Sequence, residues 1–221
     1  MKRAACHIHT HYSYDSMTSP KAIVEAAMKE QVDYLLISDH DTWDGSVAAW
    51  EYARQKEYSM TIPFAVEVCT EIGDVIAVGG SKRFPLIKNH RELYAAVKEA
   101  GGYTILPHPY DGHALGRVDF SCIDVIEVFN SRSQPEKNRK SAELAKTFQK
   151  PHIYGSDAHF LRHLRNVIFL FEGTPPYFHN ASPLELVYTN QKEKKLTQAI
   201  KGVKTMNPLL FLRSMKSFLL D

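Results

Sequence analysis

Short apolar runs recur along this chain, and most of them lead into a histidine or a carboxylate. The run at 4–8 is closed by His7 and His9, and Tyr34–Ile37 leads to Asp39 and His40. Residues 62–66 lead to Glu67, Tyr103–Leu106 to His108, and 152–154 to Asp157 and His159. The run at 124–129 ends at Asn130. Uninterrupted apolar runs of this length suit strands of a parallel sheet covered on both faces.

Helical signals lie between the runs. Ser19-Pro20 reads as a cap followed by proline at the first helical position, opening a helix to about Glu30. A second helix is expected over 46–56. Asn89 with Glu92 opens a third, which Gly101-Gly102 ends, and a fourth spans 135–148. Residues 75–78 add one more strand. This alternation implies an α/β protein made of parallel βαβ units, wound as a sheet or closed as a barrel. In a parallel barrel the C-terminal strand ends converge on one face, so the polar residues above would meet there.

A single histidine is more often a core or surface residue than a ligand. The chain has 11, however, and five strand ends carrying His, Asp or Glu together are hard to reconcile with scatter. His7 and His9, like Asp157 and His159, stand two apart, so on extended chain each pair points one way. Imidazole combined with carboxylate suits zinc, manganese or ferrous iron, whereas calcium would want oxygen alone.

Composition sets the outer limits. The length of 221 residues suits one domain over 1–221, and 44% apolar with 24% charged residues allows a sizeable core. A net charge of +2 gives no global field toward nucleic acid or membrane, so neither is an expected partner. Residues 1–20 lack the apolar core of a signal peptide, and no run approaches the length of a membrane span. Cys6, Cys69 and Cys122 form no pairing pattern and read as small buried hydrophobes in a reducing cytoplasm. Pro175-Pro176 reads as a break. It leaves a C-terminal tail inside the part, 166–221, that completes or decorates the fold, with 208–220 as a helix packed on the body or offered to a partner.

The segments HIHTHYSYDS (7–16), LISDHD (36–41), VE (66–67), LPHP (106–109), IEVFN (126–130) and GSDAH (155–159) resemble, in order, the motifs of the PHP (polymerase and histidinol phosphatase) family. The resemblance covers residues 4–160. It implies a distorted seven-stranded (β/α) barrel with two to three divalent ions (Zn, Mn or Fe) at the C-terminal ends of its strands. Carried over, His7, His9, Glu67 and Asp157 would hold the first ion, and Asp15, His40 and His159 the third. The second would share Glu67 and take His108, plus a histidine that the family supplies on the strand after the glutamate. The segment 75–84 has none, so this site is expected to be empty, weak, or completed by His90 or a water. Ala5 also stands where the family often has an aspartate that orients a ligand.

Such a site would hydrolyse phosphate esters with metal-activated hydroxide. No GxSxG elbow, Walker loop or catalytic cysteine signature suggests a covalent route. Asp39, Asp41 and His159 could protonate the leaving group, with Asp39 alternatively orienting a ligand. Arg132 is the preferred phosphate-binding cation over Lys82, Arg83 and Arg117, while Asn130 and His11 could meet substrate. His113, His152, His163 and His179 read as structural or surface residues. The leading expectation is a phosphomonoesterase on a small phosphorylated metabolite, such as an amino-alcohol phosphate or nucleotide. The alternatives are a phosphodiesterase or exonuclease, a weakened barrel serving as a regulatory module, and metal-assisted C–N hydrolysis. The last would want a bridging lysine at a strand end, and none stands there.

Overall fold

The computed structural model describes residues 1–81 and 83–219. Strands β1 (Lys2–Ile8) and β2 (Tyr34–Ile37) run parallel, joined by helix α1 (Pro20–Lys29), with α2 (Asp44–Gln55) after β2. Pro20 opens α1, where its missing N–H costs nothing. Helix α3 (His90–Glu99) starts at Asn89, whose side chain accepts from the N–H groups of Arg91 and Glu92, as the sequence suggested. Beyond it β5 (Tyr103–Leu106), β6 (Val125–Asn130) and β7 (His152–Ala158) are parallel, with α4 (Pro135–Thr147) between the last two. β7 pairs in parallel with β1.

Two regions depart from uniform parallel alternation. β3 (Ala65–Thr70) and β4 (Gly73–Val78) form an antiparallel hairpin, and β4 is antiparallel to β5. Only Glu71 and Ile72 separate β3 from β4, too few for the crossover a parallel pair needs. The strand expected over 62–66 therefore lies later, and Glu67 falls inside it. β8 (Val167–Glu172) and β9 (His179–Leu186) form a second hairpin, with β8 antiparallel to β1. Pro175-Pro176 lies in that hairpin's connection and is a turn rather than a break. The chain ends in α5 (Gln191–Lys204) and α6 (Pro208–Leu219), which pack on each other. Leu220, the last residue of the expected tail helix, lies outside the described residues.

The result is a mixed α/β fold with one nine-stranded sheet, ordered β3-β4-β5-β6-β7-β1-β8-β9, with β2 on β1. Its nine strands and antiparallel pairs depart from the parallel units and the distorted seven-stranded barrel expected. β2 and β3 approach through an isolated bridge between His40 and Glu67. One cluster collects Cys6, Leu36, Ala65, Ile76, Ile105, Val125, Ile153 and Phe169 from β1 through β8, so the sheet curls around a shared core. A second packs α1 and α2 on the other face through Ile23, Val24, Ala49, Leu35 and Ile37. Each of the Leu, Ile, Val and Phe side chains contributes roughly 1.5–3 kcal/mol. Of the cysteines Cys6 alone is buried; Cys69 is exposed beside the β3–β4 turn and Cys122 is half-buried. Among the described residues no helix is long and apolar enough to cross a membrane.

Candidate metal centre

His7 has a left-handed backbone (φ 60) inside β1, and the register against both β2 and β7 shifts around it. The simple extended pair expected of His7 and His9 is thus replaced by a bulge. Both imidazoles are nevertheless buried at one place. Asp157 near the end of β7 (φ 46) and His108 just past β5 (φ 28) are strained in the same sense. Each such residue costs roughly 1–3 kcal/mol and persists only where its surroundings over-determine it.

These residues converge on the Glu67 carboxylate. Its Oε2 lies 3.2 Å from His7 Nε2, 3.4 Å from His9 Nε2 and 3.4 Å from His40 Nδ1, and its Oε1 lies 3.2 Å from His108 Nε2. Asp157 Oδ1 stands 3.4 Å from His9 Nε2 and 3.9 Å from His7 Nε2. Beside them Asp15 Oδ2 is 3.5 Å from His40 Nε2 and 2.9 Å from His159 Nε2. Donor atoms bonded to one tetrahedral zinc at about 2.0–2.1 Å stand about 3.3 Å apart. Most of these spacings match that arrangement and are long for hydrogen bonds. Donor atoms lie within 4.8 Å of one another in His7–His9–Glu67, in His9–Asp15–His40–His159 and in Glu67–Asp74–His108. Asp15 Oδ1 and His108 Nδ1 are buried without a hydrogen-bond partner. The residues present therefore fit divalent ions.

Two acidic residues at this site were not singled out from the sequence. Glu127, fully buried on β6, faces His7 Nδ1 at 2.8 Å and accepts from the His108 N–H at 2.6 Å and from Asn130 Nδ2 at 3.0 Å. It supplies the orienting carboxylate that Ala5 cannot, arriving from across the sheet. Asp74, the second residue of β4, the strand after Glu67, offers an oxygen where a histidine was expected. His90 does not reach this set. Its Nδ1 lies 2.7 Å from Glu71 and its Nε2 accepts from the Asp119 N–H.

Burial opposes ionisation throughout this cluster, and opposite charges overcome it. Desolvation works against a charged His7, yet Glu67, Glu127 and Asp157 raise its pKa well above the ordinary value. His40 and His108 are likewise desolvated but pushed up to about 9, chiefly by Glu67. His9, desolvated and beside His159, falls to about 4. Glu67 and Asp157 stay well below the carboxylate range despite burial, held there by His7 foremost. Buried carboxylates this close together call for cations.

The remaining candidates divide. Asn130 bridges Glu127 and Asp157, and its Oδ1 accepts from the Arg132 N–H, so it ties the site together. Arg132 Nε lies 3.7 Å from Asp157, Nη2 donates to Thr197 at 2.9 Å, and Nη1 is buried with no partner. Both oxygens of Asp39 accept from Thr10, at 2.5 and 2.7 Å, and burial raises its pKa to about 6. These bonds anchor the loop after β1 to Asp39. The His159 nitrogens face Asp15 at 2.9 Å and Asp157 at 3.3 Å, positions that suit a ligand. Asp41 is paired with Lys88. Arg83, Arg117 and His11 are exposed, and Lys82 lies outside the described residues. His113, read from the sequence as a structural or surface residue, lies beside the site, its ring 5.4 Å from that of His108.

The PHP domain family profile matches residues 5–205. The chain belongs to the PHP domain family. A curated relative, the uncharacterized protein MJ1587 of Methanocaldococcus jannaschii, is 32% identical over 142 residues, covering 58% of this chain and 82% of the relative. MJ0417 of the same organism is 27% identical over 176 residues, 75% of this chain and 68% of that protein. Among solved structures the chain is similar to a provisionally assigned metal-dependent phosphoesterase of Bifidobacterium adolescentis (TM-score 0.55, 16% identity, 89% of this chain and 96% of that one). An amidohydrolase of Chromobacterium violaceum, solved with sulfate and no metal, is comparable (TM-score 0.56, 15% identity, 87% and 96%). So is PsfC of Pseudomonas syringae (TM-score 0.57, 15% identity, 93% and 99%). At these identities the likeness is one of fold.

Proposed function

We propose that this PHP protein is a metal-dependent hydrolase acting on phosphate esters, as a phosphomonoesterase on a small metabolite. The observation that carries the reading is the buried array around Glu67, whose donors are spaced as ligands are, with Arg132 beside it, its Nε 3.7 Å from Asp157 and its Nη1 unpartnered. His7, His9, Glu67 and Asp157 would hold one ion, and Asp15, His40 and His159 another. Glu67, His108 and Asp74 make a third set, with a carboxylate in place of the histidine. Bound divalent ions would supply an activated water at neutral pH and neutralise charge on phosphoryl oxygens. The protein's own groups do the positioning. Arg132 turns its free N–H donors to a phosphoryl oxygen, which guanidinium geometry suits. Asn130 and Glu127 hold Asp157 and His7 in place, and Asp39 fixes the loop at Thr10.

The names of the Bifidobacterium and Chromobacterium proteins support hydrolysis in general, and the cation beside the acidic array favours a phosphate ester over an amide. The test is a substrate panel of phosphate monoesters, diesters and N-acyl compounds, run with manganese or zinc. Monoester turnover that disappears in Asp157→Ala and His40→Ala is the expected result. Turnover of diesters alone, or of amides alone, would move the assignment to another class.

A further inference from the structure

Helix α5 touches the loop that follows β1 through two lysines. Lys204 Nζ donates to the carbonyl oxygens of His11 at 2.6 Å, Ser13 at 2.5 Å and Ser16 at 3.0 Å. An ammonium has three N–H donors, so one carbonyl takes each. One turn earlier, Lys201 Nζ lies 4.3 Å from the centre of the Tyr14 ring, and Tyr14 stacks on His40 with rings 4.6 Å apart and 2° from parallel. The same short loop is bonded to the candidate ligands. Ser13 Oγ lies 3.3 Å from His9 Nδ1 and accepts from the His40 N–H. Ser16 Oγ donates to the carbonyls of His9 and His159. Asp15 sits between them, facing His40 and His159.

We propose that α5 is a positioning element for the Asp15–His40–His159 set. Lys204 fixes the path of residues 11–16 so that Asp15 presents its carboxylate, and Lys201 holds Tyr14 flat against His40. Helix α6 backs α5. Gly202 lies so close to it that an added Cβ would stand 2.6 Å from Phe211 N, and Lys195 Nζ donates to the Ser217 carbonyl at 3.0 Å. The packed pair α5–α6 is thereby coupled to one ion position out of several.

This rests on the reading that Asp15, His40 and His159 hold an ion, and the experiment separates the two. Metal content after desalting, and manganese affinity by titration, are measured for the full chain and for Asp15→Asn, Lys204→Met, Lys204→Arg and Lys201→Met. Asp15→Asn should lose one equivalent. Lys204→Met should weaken that same ion about 10- to 100-fold, the range for a residue that orients a ligand, and leave the others bound. Lys204→Arg should recover part of the loss because it keeps charge and donors, and Lys201→Met should show a smaller loss. An unchanged affinity for every ion in Lys204→Met, or a uniform loss tracking a lower melting temperature, overturns the positioning role alone. An unchanged metal count in Asp15→Asn overturns the ion-site reading and takes the proposal with it.

Discussion

A carboxylate inside an apolar strand is expensive unless partnered, and Glu127 is partnered by His7, the His108 backbone and Asn130. It orients His7 without facing the donor array directly. Glu127→Gln should therefore leave the fold intact and lower metal affinity about 10- to 100-fold in a metal titration. Asp74 acts at closer range. Asp74→Ala should remove the weakest ion, read as a lower metal count, while His7 and His9 retain theirs. The motif residues were legible in the sequence because most lie in or just beyond a short apolar run with a recognisable neighbour. Glu127 and Asp74 were not. Glu127 looks like one alternating residue of VIEVF, although a charge at the centre of that run was a usable signal. Asp74 becomes a candidate only once β3 and β4 are known to be a hairpin.

Elements set the precision of the site. Gly155 on β7 passes so near Glu127 that an added Cβ would stand 1.6 Å from its Oε1. Gly155→Ala should thus displace Glu127, costing about 1–3 kcal/mol in urea unfolding and lowering metal affinity with it. Leu35 in β2 is fully buried within the core against α1 and α2, so Leu35→Ala should cost about 2–5 kcal/mol in the same measurement. The parallel strands and first four helices could be read from apolar runs and caps. The hairpins could not, because period alone does not give strand direction. Pro175-Pro176 was misread for a related reason, since proline pairs mark turns and boundaries alike.

For the whole molecule, stability should follow both ions and pH. Stripping metal leaves buried carboxylates without their cations, so chelation should lower the melting temperature at neutral pH. Independently, burial holds the His163 pKa below its ordinary 6.5, although Glu193 opposes this. The folded state then binds that proton less readily than the unfolded one. Its contribution is present above about 6.5 and lost as pH falls from there toward the depressed folded value. His163→Asn should show a shallower acid dependence of melting across that window. The central claim, that this PHP chain is built around divalent ions at Glu67, is tested most directly by elemental analysis of the purified, desalted protein. Two to three equivalents of transition metal per chain are expected, reduced in Glu67→Gln, and a count of one or fewer in the unaltered protein would rule out a centre of this kind.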